Sequence, residues 1–379
     1  MMRAMMRAAL VSLLITEAFA AEVPRRSTDH YQVTLRLPEG GLYAQEEMQI
    51  EFRVEDTAKS DPVSGFVPVV RASPEAAIDM PAMPGMPRFS EVAHAEGIPG
   101  DYGIHPTFAH GGEFRLRIAI RPPGGEPFTV EFPLEVADAE KAAKRKPLPP
   151  RFRLELTALP KKPKAGQPVE VRLLVRDRDN SVVSSFEAVH EALLHLVIVR
   201  RDLSQFAHEH PVLDADGTFR FTYTFAAGGE YRFFADLAPK GAGSQILASQ
   251  LNVSGDSGAA YDVRRATSEA QRTAVDTTVR LISPDGLPIR KTVTVAFDLR
   301  DLRTNQAPAD LQPYLGVAGH LMLIHEDASV LVHCHPGEDG TLSFLARFPK
   351  AGRYRGWLQF QRGGTIRTAD FVFRTEAEQ

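Results

Sequence analysis

Apolar and polar residues alternate with a period of two along much of the chain. In FRFTYTF the residues Phe219, Phe221, Tyr223 and Phe225 fall on one face, and EVRLLV at 170–175 follows the same rule. This alternation predicts strands with one face buried. Turn signals such as DADG at 214–217 and AAGG at 226–229 recur about every ten residues, as expected of short antiparallel strands. The pattern predicts an all-β chain built as Ig-like or cupredoxin-like β-sandwiches.

One turn is written three times. TFAHGGEFRLRI from Thr107, TFAAGGEYRFFA from Thr224 and RFPKAGRYRGWL from Arg347 each end a strand in Phe, turn through Gly and restart on an aromatic residue. The glycines are expected to supply positive φ. Three tandem domains follow, over residues 22–136, 151–253 and 261–375. They are joined at 137–150 and 254–260, where charge, Pro and Gly appear without periodicity and read as linkers.

Composition narrows the picture. A chain of 379 residues that is 43% apolar is long enough for several cores. Its formal charge of −4 lacks the basic surface a nucleic-acid binder needs. Residues 1–20 place Arg3 and Arg7 before a short apolar run ending Ala18-Phe19-Ala20, the pattern of an export signal cut after Ala20. A periplasmic or secreted protein is expected. No later segment reaches the about 18 apolar residues of a span, so no membrane crossing is expected in the mature chain. Cys334 is the single cysteine and reads as a small buried apolar residue. Without an internal disulfide, stability must come from packed cores or bound metal.

The candidate chemistry is histidine. HLVIVRRDLSQFAHEHP at 195–211 and HLMLIHEDASVLVHCHP at 320–336 share seven identities in 17 positions, and His195, His208 and His210 map onto His320, His333 and His335. If each segment is a hairpin turning in RRDLS or its counterpart, His195 pairs close to His208, where opposite Cβ atoms lie about 4.5–5.5 Å apart. His208 and His210 share one face of their strand. Three imidazoles then converge on one side of each hairpin, a donor set that suits copper or zinc. Glu187, His190 and Asp236 are candidates for a fourth ligand or for a carboxylate that fixes an imidazole. The third domain gains His325 but has Gln359 in place of Asp236, so its site is expected to be weaker or of different selectivity. Asp202 and Asp327 read as turn formers.

In the first domain MPAMPGMP spaces Met80, Met83 and Met86 by three, each followed by proline. An extended polyproline-like segment would line the three thioethers along one edge, and thioethers select Cu(I). His94, His105 and His110 follow, and the best four-ligand subset is His94, His105, Met83 and Met86.

DPVSGF, MPAMPGMP and GDYGIHPTFAHGGEFRLRI together resemble the YtkA-like domain of exported bacterial proteins, a small β-sandwich often found beside copper-handling genes. SFEAVHEALLHLVIVRRDLSQFAHEHP and FFADLAPKG resemble a group of exported bacterial repeats with the same histidine pattern. The resemblance implies copper-linked periplasmic biology. The leading expectation is therefore a non-enzymatic protein that binds copper for trafficking, buffering or resistance, with other periplasmic copper-handling proteins as partners and zinc as the other ion suited to the histidines. The alternatives are a metalloenzyme using an open three-His site, or an adhesive array of Ig-like modules.

Overall fold

The computed structural model describes residues 24–28, 30–59, 67–146, 148–266, 269–283, 286–336 and 340–377; the expected export signal lies outside them. Apart from one short helix, every regular element among the described residues is a strand. The helix, Ala139–Lys144, lies within the segment expected to be a linker. Its run of Ala, Glu and Lys favours helix locally, and it buries no residue.

Each domain is a pair of sheets around its own core. In the first, one sheet runs in the order Arg25–Thr28, Tyr31–Arg36, Ile50–Asp56, Asp101–Ile104, His94–Ala95. The second runs Leu42–Tyr43, Phe128–Ala137, Gly112–Ile120, Glu75–Asp79, Phe89–Val92. Val33, Phe52, Leu116, Ile118 and Phe132 fill the space between them.

The other two domains repeat one another. In the second, Leu194–Arg200 lies between Gly229–Pro239 and Phe206–Glu209; in the third, His320–His325 lies between Gly352–Arg362 and Leu331–Cys334. The repeated turn glycines Gly112, Gly229 and Gly352 have φ of 136°, 140° and 138°, a conformation open to glycine and costly to other residues.

The central strands of these two sheets lack the alternation seen elsewhere, because all seven residues of Leu194–Arg200 and all six of His320–His325 are buried. Leu194, Leu196 and Ile198 face the second domain's core. Val197 and Val199 face the opposite way and meet Met322, Ile324, Leu331, Trp357 and Val372 of the third domain. Phe206 stacks on Trp357 at 4.5 Å between ring centroids, and Arg355 donates to the Leu203 carbonyl. The second and third domains therefore pack sheet against sheet. Both histidine-bearing faces are enclosed in that contact.

A candidate metal centre shared by two domains

The hairpin at 195–211 is closed by Asp202, whose Oδ1 accepts from the Ser204 backbone and hydroxyl; Asp327 does the same for Ser329. Its register pairs Val197 with His208 and Val199 with Phe206. The expected pairing of His195 with His208 is thus displaced by two residues, because the turn takes in the whole segment from Arg200 to Gln205. A two-residue shift preserves the face. His195, His208 and His210 still converge, with His195 Nδ1 at 3.2 Å from His208 Nε2 and 3.2 Å from His210 Nε2.

The proton positions follow from the partners. His195 Nε2 donates to the Val189 carbonyl at 2.8 Å, and His320 Nε2 donates to the Tyr314 carbonyl at 3.0 Å. A carbonyl can only accept, so both Nδ1 atoms carry lone pairs. His208 Nδ1 donates to Gln359 Oε1 at 2.9 Å, and the amide nitrogen donates to Thr368 Oγ1 at 3.1 Å. His333 Nδ1 donates to Asp236 Oδ2 at 2.8 Å, while Ser244 Oγ holds the other carboxylate oxygen. The Nε2 atom of His208 therefore carries a lone pair as well.

Two lone pairs thus face one another at 3.2 Å in the second domain, and the corresponding nitrogens, His320 Nδ1 and His333 Nε2, lie 3.4 Å apart in the third. Without a positive centre between them the second-domain contact is repulsive. Ligands about 2.0–2.1 Å from a tetrahedral ion are separated from one another by about 3.3–3.4 Å. The spacing is that of two ligands sharing a cation.

The two triads are also neighbours. His195 lies 5.5 Å from His320 and 5.4 Å from His333 between ring centroids, and ligand atoms of His195, His320 and His333 fall within 4.8 Å of one another. The residues orienting the rings are exchanged. Asp236 was expected to serve the second domain's own triad, but it holds His333 of the third, while Gln359 of the third holds His208 of the second. Asp236 and Gln359 do occupy equivalent register positions, opposite His195 and His320. Their side chains reach across the contact. The ground given for a different third-domain site therefore changes, since it is that triad which receives the carboxylate.

His190 crosses over too. It sits in left-handed backbone, φ 41°, which sets its ring 3.8 Å from that of His335. Nε2 of both rings is buried without a partner. The corresponding residue of the third domain is Leu315, with the same backbone hand at φ 50°. Burial lowers His190 and His210 to about 4, and His195, His208, His320 and His335 also fall below the usual imidazole range, with neighbouring histidines adding to the effect. These rings are neutral at pH 7, the state that ligates.

Other expected ligands lie elsewhere. Glu187 makes two hydrogen bonds to Arg53 of the first domain, at 2.9 and 2.7 Å, a charge pairing that commits it away from the imidazoles. His325 bonds Asp327 at 2.7 Å and the Ala351 carbonyl at 3.2 Å, the place that Arg200 and its partner Asp202 fill in the second domain. Cys334 lies in the third domain's core, its thiol pushed up to about 12 by burial. Tyr314, whose carbonyl holds His320 and whose ring lies 5.0 Å from it, was not anticipated. Its equivalence to Val189, which packs on Ile98 of the first domain, emerges only from the fold.

The methionine segment is not extended. Met83 N–H donates to the Met80 carbonyl and Met86 N–H to that of Met83, giving two successive turns. Proline at the second position of each, with glycine at the third of the latter, favours this outcome. Met80 and Met86 pack on the first domain's core and Met83 is 50% exposed. The turns close the Phe89 end of the strand Phe89–Val92, whereas His94 follows its other end, so Met83 and Met86 are not brought to His94 and His105. His110 lies against Phe114, its Nδ1 beside the Gly111 carbonyl, in the loop whose Gly112 meets Met80.

The fold and site define a tandem array of β-sandwich domains with histidines enclosed between two of them. The chain belongs to the family described as "Domain of unknown function (DUF8832)", which it carries twice, over residues 152–254 and 272–377. Residues 25–119 match the YtkA-like family. None of the curated proteins matches the chain in sequence. Among solved structures it is similar to FdeC, an Escherichia coli adhesin, at 14% identity over 93% of this chain and 98% of that one, with a TM-score of 0.22. The FN1–FN3 domains of chicken CNTN1 align at 11% identity over 90% and 97%, with a TM-score of 0.16. At these scores nothing of either protein's activity is carried over.

Proposed function

We propose that this is an exported copper-binding protein whose second and third domains hold the ion jointly. The observation that carries the reading is the pair of contacts, His195 Nδ1 to His208 Nε2 and His320 Nδ1 to His333 Nε2, in which hydrogen bonds from the far nitrogen of each ring to protein acceptors set the near nitrogens at the spacing of two ligands on one ion. Neutral imidazole suits copper and zinc, and among divalent ions copper stands above zinc in affinity for nitrogen sites. The seven imidazoles of His190, His195, His208, His210, His320, His333 and His335 exceed the four a tetrahedral ion takes. The centre is sized for two ions. Buffering, resistance or transfer to other periplasmic copper-handling proteins are the roles such a centre serves.

The test is anaerobic Cu(I) titration of residues 21–379 against a chromophoric chelator, with elemental analysis. Two ions per chain are expected, and a chain that stays metal-free at micromolar copper overturns the reading.

The exchange of Asp236 and Gln359 favours a second reading, an Ig-like module array in which the ion is a structural clasp between domains. A carrier releases copper to a stronger chelator with its domains still docked. A clasp undocks on release, which emission from the single tryptophan, Trp357, buried in the contact, would register.

A further inference from the structure

A second cluster lies in the first domain, apart from the shared centre. Glu91 is on the strand Phe89–Val92, His94 begins His94–Ala95, and His105 directly follows Asp101–Ile104. The register sets His94 opposite Gly103. A side chain at 103 would meet the His94 ring at 3.0 Å and, more closely still, the Glu96 carboxylate, so glycine leaves the space the ring occupies. His94 and His105 then lie with rings nearly parallel, 13° apart, at 5.0 Å between centroids.

The supports again orient the rings. His94 Nε2 donates to Glu96 Oε1 at 3.0 Å, a carboxylate–imidazole pairing that leaves Nδ1 as the ring atom facing away from the carboxylate. That Nδ1 is buried and unpartnered, and so is Nδ1 of His105. Glu91 Oε2 accepts the His105 backbone N–H at 2.9 Å, which anchors the carboxylate beside them. Ligand atoms of all three residues fall within 4.8 Å of one another. Two unmatched ring nitrogens with a carboxylate are the donor set of a divalent ion. Arg347 of the third domain, the cation facing the pair, is already matched by Glu47 at 2.6 Å.

We propose that Glu91, His94 and His105 form a separate metal site for a borderline divalent cation, Zn(II) or Cu(II). The hard carboxylate and the remoteness of the methionines set it against Cu(I). The site stands independently of the shared centre.

Zn(II) and Cu(I) are each titrated into residues 21–379 of the wild type and of H105A, E91Q and E96Q, with stoichiometry from elemental analysis after dialysis and folding checked by circular dichroism. H105A is expected to lose one Zn(II) per chain and keep its full Cu(I) count. E91Q weakens the same ion, and E96Q weakens it about 10–100-fold through loss of the charged support. An unchanged Zn(II) count in both H105A and E91Q overturns the site, as does an equal loss of Cu(I) and Zn(II). If H105A misfolds, E91Q, which keeps the size of the side chain, decides. Failure of the shared centre would instead appear as absent Cu(I) in every protein, with the Zn(II) difference intact.

Discussion

The hairpins at 195–211 and 320–336 share a backbone, a turn and three histidines, yet they are not equals. The first has its ring oriented by a neutral amide, Gln359, and the second by a carboxylate, Asp236. The second also receives His190, where its own copy has Leu315. A carboxylate makes the imidazole it holds a stronger donor. Under the proposed function the third-domain side is therefore expected to be the tighter half of the centre, although its own sequence is poorer in accessory residues, because those residues reach it from next door.

The largest effect should come from removing the anchor of each half. H195A/H320A deletes both carbonyl-fixed Nδ1 ligands and is expected to abolish Cu(I) retention; two ions remaining after dialysis would break the comparison at its root. Copper held at a thousandfold excess over its dissociation constant stabilises the native state by about 4.1 kcal/mol, so thermal scans should show metal-dependent stabilisation in the wild type and none in this variant.

Acid comes next. Burial lowers the proton affinity of His190 and His210 to about 4 and that of their neighbours in the same direction. The unfolded chain takes up these protons from about pH 6.5 downward while the folded chain does not, so stability is full above that pH and is lost as pH falls toward 4. Denaturant midpoints of the metal-free protein should fall across that window. A flat profile from pH 7 to 4 would mean the rings are not enclosed as described.

Charge separates the two supports. D236N should weaken one of the two coppers about 10–100-fold, and Q359L should weaken the other by less. Chelator competition resolves the two affinities, and equal losses would erase the asymmetry. The smallest effect is expected of H190L, which gives both copies leucine at this position and should bring the two affinities closer together. L315H should do the same by strengthening the weaker half.

Much of this was legible in the residues. Alternation in FRFTYTF marked strands, the thrice-written Gly turn marked the repeat, and the spacing of 195, 208 and 210 held even with the register two residues away from the expected one. The joining of two triads was not legible from either hairpin, because it depends on how domains dock. A trace was nonetheless present: HLVIVR and HLMLI run apolar without alternation, which an Ig-like strand with one face in water does not do. The methionines misled for a local reason. Proline and glycine at 81, 84 and 85 impose turns of the same three-residue period that a row of ligands would show.

The exchange of Asp236 and Gln359 also bears on what duplication has done here. Tandem copies usually give a lineage a spare, free to decay or drift while its sibling carries on. With each copy propping up the other's imidazole, neither is spare, and an alteration at 236 or 359 is felt first in the opposite repeat. The pair is bound to change together.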